Sequence, residues 1–359
     1  MQQYYKTINI RTAVRSADTS ILVIYTGGTI GMDYDATGKH LVPFDMSKIV
    51  DKVPELRRFD FELSFLSFIT PLDSSDILPT HWLNLARIIE NFYTQYDAFV
   101  ILHGTDTMAY SASALSFLLK NLAKPVIFTG SQLPMAMRRT DARENLIGAL
   151  EIASTKRNGK ALIPEVCIYF DNLLLRGNRS RKAQSTNFTA FKSANFPPLA
   201  IAGVNIQYNE NLILPMPQEK LQIGEKMASN VFLVKIFPGM SIAYLDCILQ
   251  MPQLQGVVLQ TYGSGNAPSD EAFIRILRNA IGKGIFIYNV TQCNGGMVKQ
   301  GLYGTSRALA EIGVLSGTDI TPEAAITKMM FLLANEQKKL RINQLMSCSM
   351  CGEMTNIDS

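Results

Sequence analysis

Ile21-Leu22-Val23-Ile24-Tyr25-Thr26-Gly27-Gly28-Thr29-Ile30-Gly31 is a run of β-favouring residues that ends in a glycine pair. Nothing polar interrupts Ile21 to Tyr25. A strand without polar–apolar alternation is buried on both faces, and such strands belong to parallel sheets covered by helices. The same rhythm continues outward. Phe59 to Ile69 reads as a partly alternating strand, Ala98 to Leu102 as a buried one that stops at His103-Gly104, and Pro125–Phe128 and Glu165–Phe170 as two more. Between them, Thr80 to Tyr93 carries Trp82, Leu85, Ile88, Ile89 and Phe92 at helical spacing, and Ala109 to Leu122 is also helical. Thr140 and Asp141 can cap a further helix running to about Ala153, with Glu144 placed as the partner of Asp141.

A looser stretch, from about Phe196 to Met227, contains Pro197, Pro198, Pro215 and Pro217. The rhythm then resumes with strands at Val231–Ile236, Gly256–Gln260 and Gly284–Asn289. Helices are expected at Ser241–Leu249, Ser269–Ile281, Ser306–Glu311 and Pro322–Ala334. Strands alternating with helices predict an α/β protein of two domains, each a parallel-rich sheet flanked by helices. The expected layout is an N-terminal arm over 1–20, a larger α/β domain over 21–208, a linker over 209–228 and a second α/β domain over 229–359.

Composition narrows the class. Of 359 residues, 47% are hydrophobic and 18% charged, an ordinary globular balance. Net charge is +4, from 34 basic and 30 acidic residues, too even to indicate nucleic acid. The basic cluster Arg176, Arg179, Arg181 and Lys182 lacks the interleaved aromatics of a single-strand binder. No apolar run reaches the roughly 20 residues a membrane span requires. The first residues lack the apolar stretch of a secretory signal, so a cytoplasmic protein with no membrane partner is expected. Five cysteines, an odd number, fit reduced thiols. Cys348 and Cys351 form a CxxC without the second pair or histidines a zinc site needs.

In parallel sheets ligands sit beyond the carboxyl ends of the strands. That rule selects the loops Thr26–Gly31, Asp73–Asp76, His103–Thr107, Thr129–Ser131, Tyr262–Asn266 and Thr291–Gly296. Among the three histidines there is no HExxH spacing, and the sequence contains no GxSxG, SxxK, GxGxxG or GxxxxGK[ST]. Hydroxyls, carboxylates and a lysine remain. A threonine hydroxyl attacks an amide only when a neighbouring group takes its proton, and N–H groups of a glycine-rich turn can hold the resulting oxyanion. Thr29 sits in such a turn, where it could equally cap the next segment. His103-Gly104-Thr105-Asp106-Thr107-Met108 supplies a second hydroxyl and a carboxylate. Asp106, if buried rather than capping the next helix, needs a partner. A lysine in that place would tune the Thr105 hydroxyl, and spacing alone leaves the lysine unassigned.

Tyr25-Thr26-Gly27-Gly28-Thr29-Ile30-Gly31 and His103-Gly104-Thr105-Asp106-Thr107-Met108 together resemble the bacterial threonine-dependent L-asparaginases, closest to the cytoplasmic type I members. Supporting stretches are Thr70–Asp76, Leu175–Arg179, Tyr262–Pro268 and Asn289–Cys293, so the resemblance runs from about Ile21 to about Asp358. It implies the asparaginase/glutaminase-like fold and hydrolysis of L-asparagine to L-aspartate and ammonia through a covalent acyl-threonine, with no metal and no organic cofactor. Thr29 matches the nucleophile, and Thr105, Asp106 and Lys182 match a second catalytic triad. Ser74, flanked by Asp73 and Ser75, matches the residue that holds the substrate α-carboxylate; Asp106 matches the partner of its α-ammonium. Asn266 matches a loop contributed by a neighbouring subunit, in keeping with a homodimer or homotetramer.

One departure concerns the base for Thr29. Many members carry a tyrosine in the mobile loop after the nucleophile, whereas Asp35-Ala36-Thr37-Gly38-Lys39-His40-Leu41-Val42-Pro43 has none. Tyr34, His40 and water remain for that role. Gln260 replaces an arginine of asparagine-regulated relatives, so regulation is not implied. Two other functions fit the same residues: a glutaminase of mixed specificity or ammonia-delivering amidase, and a non-catalytic amino-acid sensor. An archaeal tRNA-dependent amidotransferase subunit shares the fold but adds an N-terminal domain larger than the 1–20 arm.

Overall fold

The computed structural model describes residues 5–10, 17–35, 37, 39–301 and 304–356. The chain forms two units, with the division between Ile223 and Gly224; Ala194–Phe196 belong to the second unit. That division falls within the segment expected as a linker. Of the expected arm over 1–20, residues 1–4 and 11–16 lie outside the described residues.

The first unit is built on a nine-stranded sheet. Its strands are β1 (Tyr5–Ile10), β2 (Thr19–Gly27), β3 (Phe61–Leu72), β4 (Ala98–Leu102), β5 (Val126–Thr129), β6 (Val166–Phe170), β7 (Leu173–Arg176), β8 (Ala200–Ala202) and β9 (Ile206–Tyr208). They lie in the order β1-β3-β2-β4-β5-β6-β7-β8-β9. The five strands from β3 to β6 are parallel. Their central residues, Ile21–Ile24, Ala98–Leu102 and Val126–Phe128, are wholly buried. Helix α1 (Pro79–Phe92) packs on α2 (Met108–Leu118), while α3 (Ala142–Ser154) packs on β2, β4, β5 and β6.

The sheet edges depart from the expected parallel pattern. β1 lies in the segment read as an arm, and it pairs antiparallel with β3, from Tyr5 opposite Phe68 to Ile10 opposite Leu63. At the other edge, β7, β8 and β9 are antiparallel. Phe170 pairs with Leu173 across a two-residue turn whose residues, Asp171 and Asn172, have φ of 49° and 63°. Tight hairpins favour such left-handed pairs because their twist matches that of the strands.

Of the two residues expected to cap α3, only Thr140 does so. Asp141 precedes the helix, but its carboxylate accepts the Gln132 and Leu133 N–H groups at 2.9 and 3.1 Å. Thr140 Oγ1 takes the Ala142 N–H instead. Asp141 therefore ties the loop after β5 to the helix start. The expected linker is stitched down as well. Arg176 and Glu165 form a buried pair at 2.6 Å; Arg176 donates to the Leu212 carbonyl, and Glu165 accepts the Leu214 N–H. Gln222–Ile223 then pairs with Leu119–Lys120.

The second unit holds four parallel strands in chain order, β10 (Val231–Lys235), β11 (Gly256–Thr261), β12 (Phe286–Thr291) and β13 (Leu315–Ser316). Along β11 the side chains alternate between two apolar layers. Val257 and Leu259 pack with Phe273 and Leu277 of helix α5 (Glu271–Gly282; α4 is Ile242–Leu249). Val258 packs with Ala324 and Met329 of α7 (Pro322–Asn335; α6 is Gly304–Glu311). After a last helix, α8 (Lys339–Met346), the chain closes on a fully buried ion pair, Lys328 Nζ to Glu353 Oε1 at 2.7 Å. The CxxC backbone serves this clasp: the Cys348 carbonyl accepts from Lys328 and the Cys351 N–H donates to Glu353. No described helix is long and apolar enough to cross a membrane.

Candidate active site

The first-unit sheet places its switch of strand order between β2 and β4, because β3 lies on one side of β2 and β4 on the other. Ligands of open α/β sheets bind at such a point, beyond the carboxyl ends of the strands. Thr29 follows β2, Asp73–Ser75 follow β3, and Thr105–Asp106 follow β4.

The first and third of these loops touch through backbone, and the third rests on the Ser74 side chain. A Cβ on Gly28 would come within 2.5 Å of the Gly104 N and Cα, and one on Gly104 within 2.6 Å of the Ser74 hydroxyl. Gly28 also has φ of 87°, in the region that favours glycine. Thr107 Oγ1 adds a bond to the Ser74 carbonyl at 2.6 Å. Thr29 opens a short turn, Thr29–Gly31, that is pinned from below: the buried Tyr25 hydroxyl donates to the Gly31 carbonyl at 3.1 Å. Burial pushes that phenol up to about 12, so it stays a donor. The Thr29 hydroxyl is half-buried and bonded to no group among the described residues.

Lys182 lies on a short strand, Arg181–Lys182, paired with Phe191–Lys192. Its ammonium reaches Thr105 Oγ1 at 2.7 Å and Asp106 Oδ1 at 2.6 Å. The structure thus brings together the three residues that the resemblance grouped. Neither alternative weighed for Asp106 holds. Asp106 is not a buried carboxylate: its side chain is 67% exposed, against 16% for Lys182. It also does not cap the following helix, whose N-terminal residue Thr107 makes no side-chain cap.

Ser74 is buried. Asp73 accepts both the N–H and the hydroxyl of Ser75, at 2.9 and 2.8 Å. Those bonds, the backbone one foremost, hold the Asp73 carboxyl below its usual range. Tyr34 is exposed on the hairpin Met32–Tyr34/Leu41–Pro43, and its hydroxyl contacts the Met137 sulfur at 3.4 Å. His40 is exposed and turns its backbone toward Asp35. Ala36 and Gly38 of this loop lie outside the described residues. Asn266 belongs to the second unit, where its backbone closes a turn with Tyr262.

Sequence reasoning passed over the support beneath Gly104. The His103 Nδ1 lies 2.6 Å from the Gly104 carbonyl. A carbonyl only accepts, so Nδ1 carries the proton, and Nε2 accepts from the Ser111 hydroxyl at 2.9 Å. That hydroxyl in turn accepts the Trp82 indole N–H at 2.9 Å. Burial drives His103 down to about 4 from an ordinary 6.5. As pH falls below 6.5 the unfolded chain takes up this proton while the native chain does not. Stability is therefore full above pH 6.5 and is lost progressively toward pH 4, by roughly 3 kcal/mol from this residue. Guanidinium unfolding at pH 7 and pH 4.5 should show the loss in the wild type and a smaller one in His103→Gln. Equal losses in the two would remove His103 as its source.

The fold and this hydroxyl–lysine cluster define an α/β amidohydrolase. Comparison with protein families matches residues 20–214 to "Asparaginase, N-terminal" and residues 230–346 to "Glutaminase/Asparaginase C-terminal domain". The chain belongs to the asparaginase family. It is 42% identical to L-asparaginase 1 of Escherichia coli K12 over 340 residues, covering 94% of this chain and 99% of that one. It is 30% identical to one subunit of the glutamyl-tRNA(Gln) amidotransferase of Pyrococcus abyssi, covering 93% of this chain and 76% of that one. The solved L-asparaginase I of Vibrio cholerae superposes with a TM-score of 0.85 at 39% identity, covering 94% and 99% of the two chains.

Proposed function

We propose that this chain hydrolyses the side-chain amide of L-asparagine by acyl transfer to Thr29. The Thr29 oxygen attacks the amide carbon, the tetrahedral oxyanion collapses, and the amide nitrogen leaves as ammonia after gaining a proton. Water then attacks the resulting β-aspartyl ester, releasing aspartate and restoring the hydroxyl. The observation that carries this reading is the bonding of the Lys182 ammonium to both Thr105 Oγ1 and Asp106 Oδ1, on a loop in backbone contact with the Thr29 turn. A lysine held by a carboxylate beside a hydroxyl supplies positive charge and a proton relay for the second step.

In this reading Ser74, with Asp73 and Ser75, receives the substrate α-carboxylate, and Asp106 receives the α-ammonium. Its exposure suits that task, since a water-facing carboxylate is open to an incoming cation. Tyr34, His40 and a water molecule are the acceptors that remain for the Thr29 proton. The protein acts in the cytoplasm as a homodimer or homotetramer, with Asn266 offered to a neighbouring site, and uses no cofactor.

The likeness to an amidotransferase favours one further reading, glutamine as a second amide substrate. Glutamine adds one methylene, which a pocket discriminates by about 1–3 kcal/mol. Ammonia release from purified protein is expected with both amides, with kcat/KM for asparagine roughly 10- to 200-fold higher. No ammonia from either amide would leave an amino-acid sensor as the function, and a glutamine preference would reverse the assignment.

A further inference from the structure

A cavity of about 330 Å³ lies in the first unit, away from the three loops that meet at Gly28 and Gly104. One wall is the face of α3 that carries Glu144, Gly148 and Glu151, and the other is the β8–β9 hairpin with Tyr208. Its volume falls at the small end of the range typical of small-molecule sites.

Its chemistry is one-sided. No lysine, arginine or histidine lines it. Neither Glu144 nor Glu151 has an ion-pair partner among the described residues. Seven positions apart on one helix, they stand about 10 Å apart along its axis. Between them the helix carries a glycine for a specific reason: a Cβ on Gly148 would sit 2.2 Å from the Tyr169 hydroxyl oxygen. A mid-helix glycine costs about 1 kcal/mol relative to alanine, and here it makes room for a phenol.

Tyr169 is 2% exposed, yet its hydroxyl, which lines the cavity, has no hydrogen-bond partner among the described residues. Burial, and then the neighbouring carboxylates Glu144, Glu151 and Asp171, push that phenol up to about 12, so it stays neutral. Its oxygen is free to accept. The other phenol, Tyr208, is already bonded to Thr155 at 2.8 Å.

We propose that this cavity binds a small aliphatic diamine, with an ammonium group at each of Glu144 and Glu151 and the Tyr169 oxygen accepting an N–H from one of the two ammonium groups. A single metal ion would need the two carboxylates to converge on one point, whereas their positions stand about 10 Å apart along the helix axis. No described group of acidic, histidine or cysteine side chains could hold a metal.

Titration calorimetry of the full chain with putrescine at low salt should give one saturable site per chain. Glu144→Gln and Glu151→Gln should each weaken it roughly fivefold. Tyr169→Phe, which keeps the ring, should weaken it roughly two- to tenfold. Butylamine, with one ammonium, and magnesium should bind at least several-fold more weakly than putrescine. Absence of saturable heat overturns the proposal, as do affinities unchanged in all three variants. Butylamine binding as tightly as putrescine rules out the two-ended mode, and tight magnesium binding makes the site a metal site. None of the three substituted residues lies in the hydroxyl–lysine cluster. Ammonia release from asparagine should therefore stay at wild-type level in each variant, and the two readings stand or fall separately.

Discussion

Thr29→Ala is expected to lower kcat on asparagine by roughly 10⁴-fold or more while leaving asparagine binding in place. The size follows from what is removed. Without the Thr29 oxygen no acyl-enzyme forms, and only direct attack by water on the bound amide remains. The fold should not suffer, because the hydroxyl is bonded to nothing among the described residues. The turn is held by Tyr25 through the Gly31 carbonyl and by backbone contact with Gly104. Calorimetric titration with asparagine and a thermal melt should both match the wild type. Turnover of the variant at a wild-type rate would move the nucleophile elsewhere.

Lys182→Met should lower kcat by roughly 10²- to 10⁴-fold, the span usual for a positioned proton-transfer or charge-stabilising group. Its effect on stability should be small, and the contrast is the test. The Asp106 carboxylate left behind is two-thirds exposed, so water replaces its lost partner, and such pairs contribute about 1 kcal/mol or less. Thr105 keeps its place through the loop backbone. A variant with near-wild-type melting and a collapsed kcat places Lys182 in the reaction. Unchanged kcat removes it, and a collapsed melt makes its role structural.

The strands that build the site were legible because they are buried on both faces. Ile21–Tyr25, Ala98–Leu102 and Pro125–Phe128 are uninterrupted apolar runs, and each lies in an observed strand to within a residue. The edge strands were not. Ala200–Ala202 and Ile206–Tyr208 are short and partly exposed, and their proline-rich surroundings read as loop. Tyr5–Ile10 sits in a polar terminus, and only pairing with distant residues 63–68 makes it a strand. The packing of the linker segment is hidden for a related reason: its anchors, Glu165 and Arg176, lie far back in the sequence.

Within the site the division is similar. Thr29, Thr105 and Asp106 stand out because each sits in a polar loop directly after an apolar run. Lys182 is 77 residues from Thr105, and no local periodicity connects them; the family resemblance supplied the link. The exposure of Asp106 is not legible from its flanking strand, because burial changes within a residue or two at a strand end. The His103–Ser111–Trp82 relay spans a loop and two helices, and its members read individually as ordinary core residues.

Gly28 lies on the Gly104 backbone with no side chain between them, and Gly104 in turn rests on the Ser74 side chain. Rotatable groups normally act as a cushion between neighbouring loops, soaking up small displacements by changing rotamer. Between Gly28 and Gly104 there is no cushion. A nudge delivered to the Gly28 turn passes to the Gly104 loop at nearly full amplitude, so the Thr29 hydroxyl and the lysine-bridged Thr105 hydroxyl travel as a single plate. Redesign of this pocket can change what faces the substrate, but the spacing of the plate is fixed by atoms that are absent and cannot be tuned by adding any.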